Sequence, residues 1–292
     1  MSVLRRVLST FLCTLASVTA HTQIVVTDDL GRVVVLRAPA QRIVSLAPSL
    51  TESLFAIGAE LRIAGVTTFC NYPERARDIP PVGGMINPSI EAIVSRSPDL
   101  ITLSMEGNTR TDFTKLTSLG IPVYVSNPRT LSGIYHSIEQ LGILTGLTAQ
   151  ARTLIDSLKR KEQVLRSAVS PQPVSTLFFV SLQPLIVAGK NTLLNELLTI
   201  AGARNIADGL PGNYPVISRE VVLHENPEVL LLTTDLAGDS ETLTALFPEW
   251  TLLNAIRQHR VYRLNTDVVS RPGPRAVEGL ELLIACLHGG TP

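Results

Sequence analysis

Residues 89–103 read SIEAIVSRSPDLITL, and residues 218–232 read SREVVLHENPEVLLL. Both segments begin with a Ser, and a Glu follows two positions later. In each, a Pro stands at the same distance from the Ser and is followed by an acidic residue and then by an apolar run. Each pattern predicts a helix that begins after the Ser, followed by a buried strand. Because the same pattern occurs twice, 129 residues apart, it indicates two lobes of similar construction.

Outward from these segments, short apolar strands alternate with helices of about ten residues. Residues 23–39 alternate β-forming residues around Asp28, Asp29 and Gly31, which predicts a hairpin. Residues 49–58, SLTESLFAIG, predict a helix that opens on a capping box from Ser49 to Glu52. Such alternation is typical of βα units that form mainly parallel sheets.

One long helix separates the two series of βα units. Residues 148–168 contain no Gly or Pro and place their apolar residues on one stripe, which predicts a helix about 30 Å long. We therefore expect an α/β protein with two Rossmann-like lobes joined by a single backbone helix. The expected boundaries are a lobe at 21–147, the helix at 148–169 and a lobe at 170–292.

The N-terminal 20 residues indicate export. Arg5 and Arg6 precede an apolar stretch that is too short to cross a bilayer, and Val18 with Ala20 forms a small-residue cleavage pair. We expect a signal peptide at residues 1–20 and a periplasmic protein. Leu12 is a poor match to the small residue that precedes a lipidated cysteine, so we expect no lipid anchor at Cys13.

Composition and motifs exclude several classes of function. The 25 basic and 25 acidic residues balance, so no basic field favours nucleic acid. No dinucleotide fingerprint, P-loop or nucleophile elbow is present, which argues against an enzyme. The histidines and cysteines have no metal-ligand spacing, so we expect no bound metal and no cofactor; the histidines are His21, His136, His224, His259 and His288.

Five segments, two of which overlap the duplicated pattern, resemble periplasmic binding proteins of ABC importers for cobalamin, haem and ferric siderophores, the class with a helical backbone. The segments are VSLAPSLTESLFAIGA (44–59), TTFCNYPERAR (67–77), VGGMINPSIEAIVSRSPDLI (82–101), YPVISREVVL (214–223) and RPGPRAVEGLELL (271–283). Their likeness is greatest to the cobalamin branch. The resemblance implies a protein that captures cobalamin or a related corrinoid between its lobes and delivers it to a permease dimer with ATPase subunits.

The repeated Glu residues have two interpretations. Each Glu at the second helical position stabilises a helix start, because a carboxylate there meets free N–H groups and the positive end of the helix dipole. Duplicated lobes would also present Glu91 and Glu220 as a pair that suits a two-fold symmetric basic partner. The resemblance implies this second role, since one Glu on each lobe of family members engages arginines of the permease.

The resemblance also implies which residues line the cleft. Aromatic, apolar and polar side chains there suit a large macrocycle with peripheral amides; the residues are Phe69, Tyr72, Met85, Tyr214, Asp267, Val268, Val269, Ser270 and Arg271. Met85, Val268 and Ile186 replace aromatic rings of the family pattern, which keeps a ferric siderophore open as an alternative. Haem is less favoured, because Gly84 stands near the position of the axial Tyr of the haem branch. Ala201 replaces one partner of Cys286, so we expect the family's second-lobe disulfide to be absent.

Overall fold

Strands and helices alternate along the chain on both sides of one long helix. A computed structural model describes residues 23–236 and 239–289; the expected signal peptide and Cys13 lie outside the described residues. The first series contains β1 (Ile24–Thr27), β2 (Val33–Leu36), β3 (Ile43–Ser45), α1 (Pro48–Ala56), β4 (Ile63–Val66), α2 (Ile90–Ser95), β5 (Leu100–Ser104), α3 (Arg110–Ser118), β6 (Val123–Ser126) and α4 (Leu131–Thr145).

The long helix and the second series follow. They comprise α5 (Thr148–Ser167), β7 (Val174–Leu182), β8 (Leu185–Val187), α6 (Leu193–Ile200), β9 (Ala203–Asn205), α7 (Arg219–Glu225), β10 (Val229–Thr233), α8 (Ser240–Leu246), α9 (Asn254–Arg257), β11 (Val261–Leu264), α10 (Thr266–Ser270) and α11 (Ala276–His288). Short 3-10 helices lie at Glu60–Arg62, Glu74–Asp78, Ile206–Gly209 and Pro248–Leu252. No helix within the described ranges combines the length and the apolar character that a membrane span requires.

Each series of βα units forms one sheet. The N-terminal lobe has the strand order β4-β3-β5-β6, and all its neighbours are parallel. The C-terminal lobe has the order β11-β10-β7 with parallel neighbours, and the far side of β7 pairs with antiparallel β8 and parallel β9. The predicted hairpin is confirmed as antiparallel β1 and β2, and the predicted fold class is confirmed.

The duplicated segments occupy equivalent places in the two lobes. Ser89 and Ser218 are the N-cap residues of α2 and α7, and each hydroxyl accepts a hydrogen bond from the backbone N–H three residues later. The acidic residue before each buried strand binds the start of the neighbouring strand: Asp99 accepts from the backbone N–H of Arg42, and Glu228 from that of Ser175. The repeat in the sequence is therefore a repeat in structure.

The capping box predicted for α1 is wrong. The N-cap is Ala47, no side chain caps the helix, and Pro48 occupies the first turn. Proline suits this position because its fixed φ is helical and it has no N–H that needs an acceptor. The Glu52 carboxylate instead binds residues of the other lobe.

A continuous apolar core joins the lobes beneath α5. One cluster of buried side chains includes residues of α1, α4 and α5 together with residues of α6 and α11. Two separate clusters fill the outer sides of the C-terminal and N-terminal sheets, and the single Trp, Trp250, lies completely buried in the former beside Phe179 and Phe247. Because the central cluster draws on both lobes, separation of the lobes would expose apolar surface to water.

The contact between α4 and α5 is close enough to test this packing. A Cβ added at Gly142 would lie 2.5 Å from the Cβ of Ala151. We predict that Gly142→Ala lowers the free energy of unfolding by about 1–3 kcal/mol, because overpacking forces the helices apart. Denaturant unfolding measures the change. Gly209→Ala, where an added Cβ meets open space, is the control, and Ala151→Gly should restore part of the loss; equal stability of the Gly142 and Gly209 variants would contradict the prediction.

Candidate ligand cleft

A cavity of about 640 Å³ lies between the two lobes. Its walls come from segments at or near the carboxyl ends of strands in both sheets, where ligands of open α/β sheets bind. The lining residues are Met105, Glu106, Arg129, Phe178, Val180, Leu194, Asn213, Tyr214, Thr233, Asp235, Leu236, Thr266 and Ser270. The volume lies within the range of ligand pockets in proteins, roughly 300–1,000 Å³.

The N-terminal wall of the cavity contains an ion pair. Glu106 follows β5 and Arg129 follows β6, and the two side chains form a salt bridge in which each is about one-third exposed. Asp235 lies on the C-terminal wall, just after β10. Of the described residues that line the cavity, these three are charged, so the acidic groups outnumber the basic one.

Tyr214 faces the ion pair from the opposite lobe. Burial raises the pKa of its phenol to about 12, and the nearby Glu106 carboxylate adds to the shift. The phenol therefore remains protonated at neutral pH and can donate a hydrogen bond. The residue is still 42% exposed, so it remains accessible to a ligand, whose apolar surface an aromatic ring can contact.

Residues 266–270, which contain four of the predicted cleft residues, form the short helix α10. The Asn265 side chain accepts hydrogen bonds from the backbone N–H groups of Asp267 and Val268 and thereby starts the helix. Residues four apart share a helix face, so Thr266 and Ser270 both line the cavity. The side chain of Val269 is completely buried in the central core instead, which corrects its assignment as a cleft side chain.

The Arg271 guanidinium is occupied by a contact between the lobes. It donates to Glu52 at 2.9 Å and to the Asn71 side chain at 2.7 Å, and it pairs with Asp267 at 2.6 Å. Asn71 in turn donates to the Asp267 carboxylate at 2.8 Å. Arg271 was expected to be the arginine of the cleft, but Arg129 lines the cavity and Arg271 ties the lobes together.

A second arginine completes this junction. Arg275 donates to both oxygens of Glu52, at 2.9 and 2.7 Å. Burial is the largest single effect on Arg275 and opposes its charge, but the hydrogen bonds to Glu52 and the negative charges nearby, that of Glu52 first, together outweigh burial and raise the pKa of Arg275. The Glu52 side chain is only 2% exposed, so its charge is compensated almost entirely by the two guanidinium groups of the other lobe.

The remaining predicted cleft residues lie around this junction and on the N-terminal lobe. Tyr72 places its ring 4.0 Å from the Arg275 guanidinium and is 45% exposed. Phe69 is 54% exposed, and its backbone carbonyl accepts from Arg271. The Met85 side chain is half-buried and packs against Gly107. Val268 is also half-buried, and its backbone carbonyl lies against Gly279 of α11. Tyr214 and Ser270 are thus the predicted residues that line the main cavity.

Sequence reasoning missed Glu106, Arg129 and Asp235. Glu106 and Asp235 each follow a buried parallel strand by two residues, and Arg129 follows one by three. In open α/β sheets, ligands bind at the carboxyl ends of the strands, so a residue directly after a parallel strand is a general candidate for a ligand site. That signal would have placed all three at the cleft without any family likeness.

Glu91 and Glu220 are both exposed, each at the second position of its helix. Neither forms a salt bridge with another residue of the described ranges. Hydrogen bonding to Ser218 holds the pKa of Glu220 below its usual value. Glu91 and Glu220 therefore occupy matching exposed helix starts in the two lobes, and at Glu220 the ionised form is favoured.

The two cysteines of the described chain are buried free thiols. Cys70 lies within hydrogen-bond distance of the Thr51 and Thr67 hydroxyls. Burial raises the pKa of Cys286 to about 11, so this thiol is protonated at neutral pH. Within residues 23–236 and 239–289, no three His, Cys, Asp or Glu side chains are grouped so that they could hold a metal ion.

The chain was compared with known families, sequences and structures. A family model described as periplasmic binding protein matches residues 43–268. The chain belongs to this family. It is 31% identical over 277 residues to the ABC transporter substrate-binding lipoprotein YvrC of Bacillus subtilis, covering 92% of this chain and 86% of that protein. It is 32% identical over 251 residues to the vitamin B12-binding protein of Vibrio campbellii, covering 83% of this chain and 87% of that protein.

Solved structures of binding proteins have the same fold. The vitamin B12-binding protein BtuF of Vibrio cholerae aligns with a TM-score of 0.77 and 29% identity, over 85% of this chain and 97% of that one. The haem-binding protein BhuT, solved with two haems, aligns with a TM-score of 0.78 and 26% identity, over 86% of this chain and 98% of that one. These relatives are binding proteins, so the periplasmic binding protein described here is a receptor without catalytic activity, and what it binds is a transient ligand and not a resident cofactor.

The lobe junction generates a prediction about stability. Glu52→Gln removes the charge that compensates Arg271 and Arg275, and breaking a buried ion pair costs about 3–5 kcal/mol. We predict a loss of about 3 kcal/mol in the free energy of unfolding, at the lower end because both arginines keep some exposure. Denaturant titration measures it.

Glu281→Gln is the matched control for Glu52→Gln. Glu281 pairs with Lys161 at 2.7 Å, but both side chains are about half exposed. Loss of such a surface pair costs less than about 1 kcal/mol. If the two variants lose the same stability, the junction does not have the energetic role assigned to it.

Proposed function

We propose that the chain is the extracytoplasmic solute-binding protein of an ABC importer, and that it captures cobalamin or a related corrinoid between its lobes. The observation that carries the proposal is the interlobe cavity, in a chain whose relatives include a vitamin B12-binding protein. Cavity walls from both lobes allow a ligand to contact each lobe at once. The signal peptide expected at residues 1–20 agrees with a periplasmic location.

The charges of the cleft support a ligand with little negative charge. Arg129 is already paired with Glu106, and Asp235 adds a second acidic group. A trianionic ferric siderophore would be repelled by these carboxylates. The one arginine among the described residues of the cavity, Arg129, is already neutralised by Glu106 and would offset little of this repulsion. A corrinoid with neutral peripheral amides can accept from Tyr214 and exchange hydrogen bonds with Ser270 without displacing the ion pair.

Haem is the second candidate, because the haem-binding protein BhuT has nearly the same fold similarity as BtuF. A tyrosine that ligates haem iron must lose its proton, and the raised pKa of Tyr214 opposes this loss. The two haem propionates would also face Glu106 and Asp235. Both effects favour the corrinoid.

We also propose that Glu91 and Glu220 dock the loaded protein on the permease. They are exposed, occupy equivalent positions of the duplicated lobes and have no salt-bridge partner among the described residues. A permease dimer offers two copies of one surface, so one carboxylate from each lobe can meet the same basic group on each subunit. Separate ATPase subunits of the importer would hydrolyse ATP.

Calorimetry with a set of ligands tests the identity of the ligand. We predict that the purified mature protein binds cyanocobalamin with a dissociation constant in the micromolar range or below, and binds haemin and a trianionic ferric catecholate at least about tenfold more weakly, a difference of about 1.4 kcal/mol. Absence of cyanocobalamin binding at micromolar concentration would remove the corrinoid from the proposal. Tighter binding of haemin would favour the second candidate.

Charge reversal tests docking separately from ligand capture. The double variant Glu91→Lys, Glu220→Lys should lose binding to its permease complex in nanodiscs and keep the ligand affinity of the wild type, because both residues lie outside the cavity. Glu74→Lys with Glu278→Lys is the control, since these exposed residues also lie in first helical turns and give the same change of charge. Unchanged complex formation by the first variant would refute the docking proposal.

A further inference from the structure

A second repeat in the chain contains two Glu residues, of which Glu52 is buried and Glu196 half-buried. Residues 52–59 read ESLFAIGA, and residues 196–203 read ELLTIAGA. Both follow the pattern Glu-x-Leu-x-x-x-Gly-Ala, at an offset of 144 residues. The first segment is the second half of α1 and its end, and the second has the same relation to α6.

The two segments have the same local structure. Leu54 and Leu198 are completely buried. Gly58 and Gly202 follow their helices with φ values of +82° and +81°, a left-handed conformation that ends a helix at low cost only with glycine. Glu52 and Glu196 therefore project from equivalent helices of the two lobes.

Each of these carboxylates binds the beginning of the last helix of the opposite lobe. Glu52, in the N-terminal lobe, accepts from Arg275, the N-cap residue of α11, and from Arg271 just before it. Glu196, in the C-terminal lobe, accepts at 2.6 Å from the backbone N–H of Leu131, the first residue of α4. Both α4 and α11 pack on α5, the helix that joins the lobes.

We propose that Glu52 and Glu196 are reciprocal latches that set the spacing of the two lobes and hence the width of the cleft. They are positioning residues, since neither lines the cavity. The inference rests on the proposed function in one respect, namely that the ligand binds between the lobes. Loss of a latch enlarges the range of lobe spacings and lowers the fraction of molecules with a cleft ready for ligand.

The two latches differ in strength. Two guanidinium groups hold Glu52, which is fully buried. Glu196 is only half-buried, and a single backbone N–H is its partner across the lobes. Burial raises the pKa of Glu196, and the neighbouring Glu162 carboxylate raises it further, against the effects of Leu131 and Arg166. The Glu196 contact is therefore the weaker one and the first to open when the lobes move.

Distances between the lobes test the proposal directly. Spin labels at Leu61→Cys and Leu252→Cys report on the two lobes, since these side chains are 97% and 70% exposed, whereas Cys70 and Cys286 are buried and remain unlabelled. Pulsed electron paramagnetic resonance is recorded on the ligand-free full-length mature protein. We expect a narrow distribution in the wild type and a distribution at least about twice as wide in Glu196→Ala and in Glu52→Gln.

Conservative and control variants separate a latch from a general loss of stability. Glu196→Gln retains an acceptor for the Leu131 N–H and should keep the narrow distribution, and Glu281→Gln should also leave it unchanged. Glu196→Ala should weaken cyanocobalamin binding by about threefold to tenfold, in proportion to the fraction of binding-competent molecules. Should Glu52→Gln fail to fold, Glu196→Ala still decides the question.

The result that overturns the latches is an unchanged distance distribution in Glu196→Ala. An equal broadening in Glu196→Gln would also overturn them, because that variant keeps the contact. The distances are measured without ligand, so they are independent of whether the wild type binds a corrinoid. Failure of the latches and failure of the proposed ligand are therefore distinguishable.

Discussion

The position of one lobe relative to the other depends on a buried carboxylate, Glu52, held by two arginines of the opposite lobe. A charge in this environment is tolerated only if its partners stay in place, since removal of a partner leaves an uncompensated buried ion. Asp267 and Asn71 extend the same network to the edge of the cleft. Together with the apolar core that both lobes share, this junction favours small changes of lobe spacing over wide opening.

Four glutamates occupy two duplicated positions of the chain, and burial distinguishes the roles of the two pairs. Glu91 and Glu220 are exposed at helix starts and are available to another molecule, whereas Glu52 and Glu196 are turned inward and bind the opposite lobe. Both pairs of glutamates exist because the same βα units occur in each lobe. The outer set suits recognition of a symmetric partner, and the inner set fixes the geometry that such recognition requires, because two docking groups must keep a constant separation.

The periodic features of the sequence predicted most of the fold. The alternation of strands and helices, α5 and the caps at Ser89 and Ser218 depend on local residue patterns, and the structure confirms them. The start of α1 and the helix α10 were not predicted, since Pro48 and Asn265 act over single turns that periodicity does not detect. The roles of Arg271 and Arg129 depend on contacts between residues far apart in sequence, and only the folded chain shows which arginine meets a partner.

A pair of crystal structures, with and without cyanocobalamin, would show where the ligand binds and what positions the lobes. We expect ligand density in the interlobe cavity against Tyr214 and Ser270, with the contacts from Glu52 to Arg275 and from Glu196 to Leu131 present in the bound form. Ligand density outside this cavity would contradict the account. A bound form in which both contacts are broken would contradict it equally, because the lobes would then be positioned by something other than the two carboxylates.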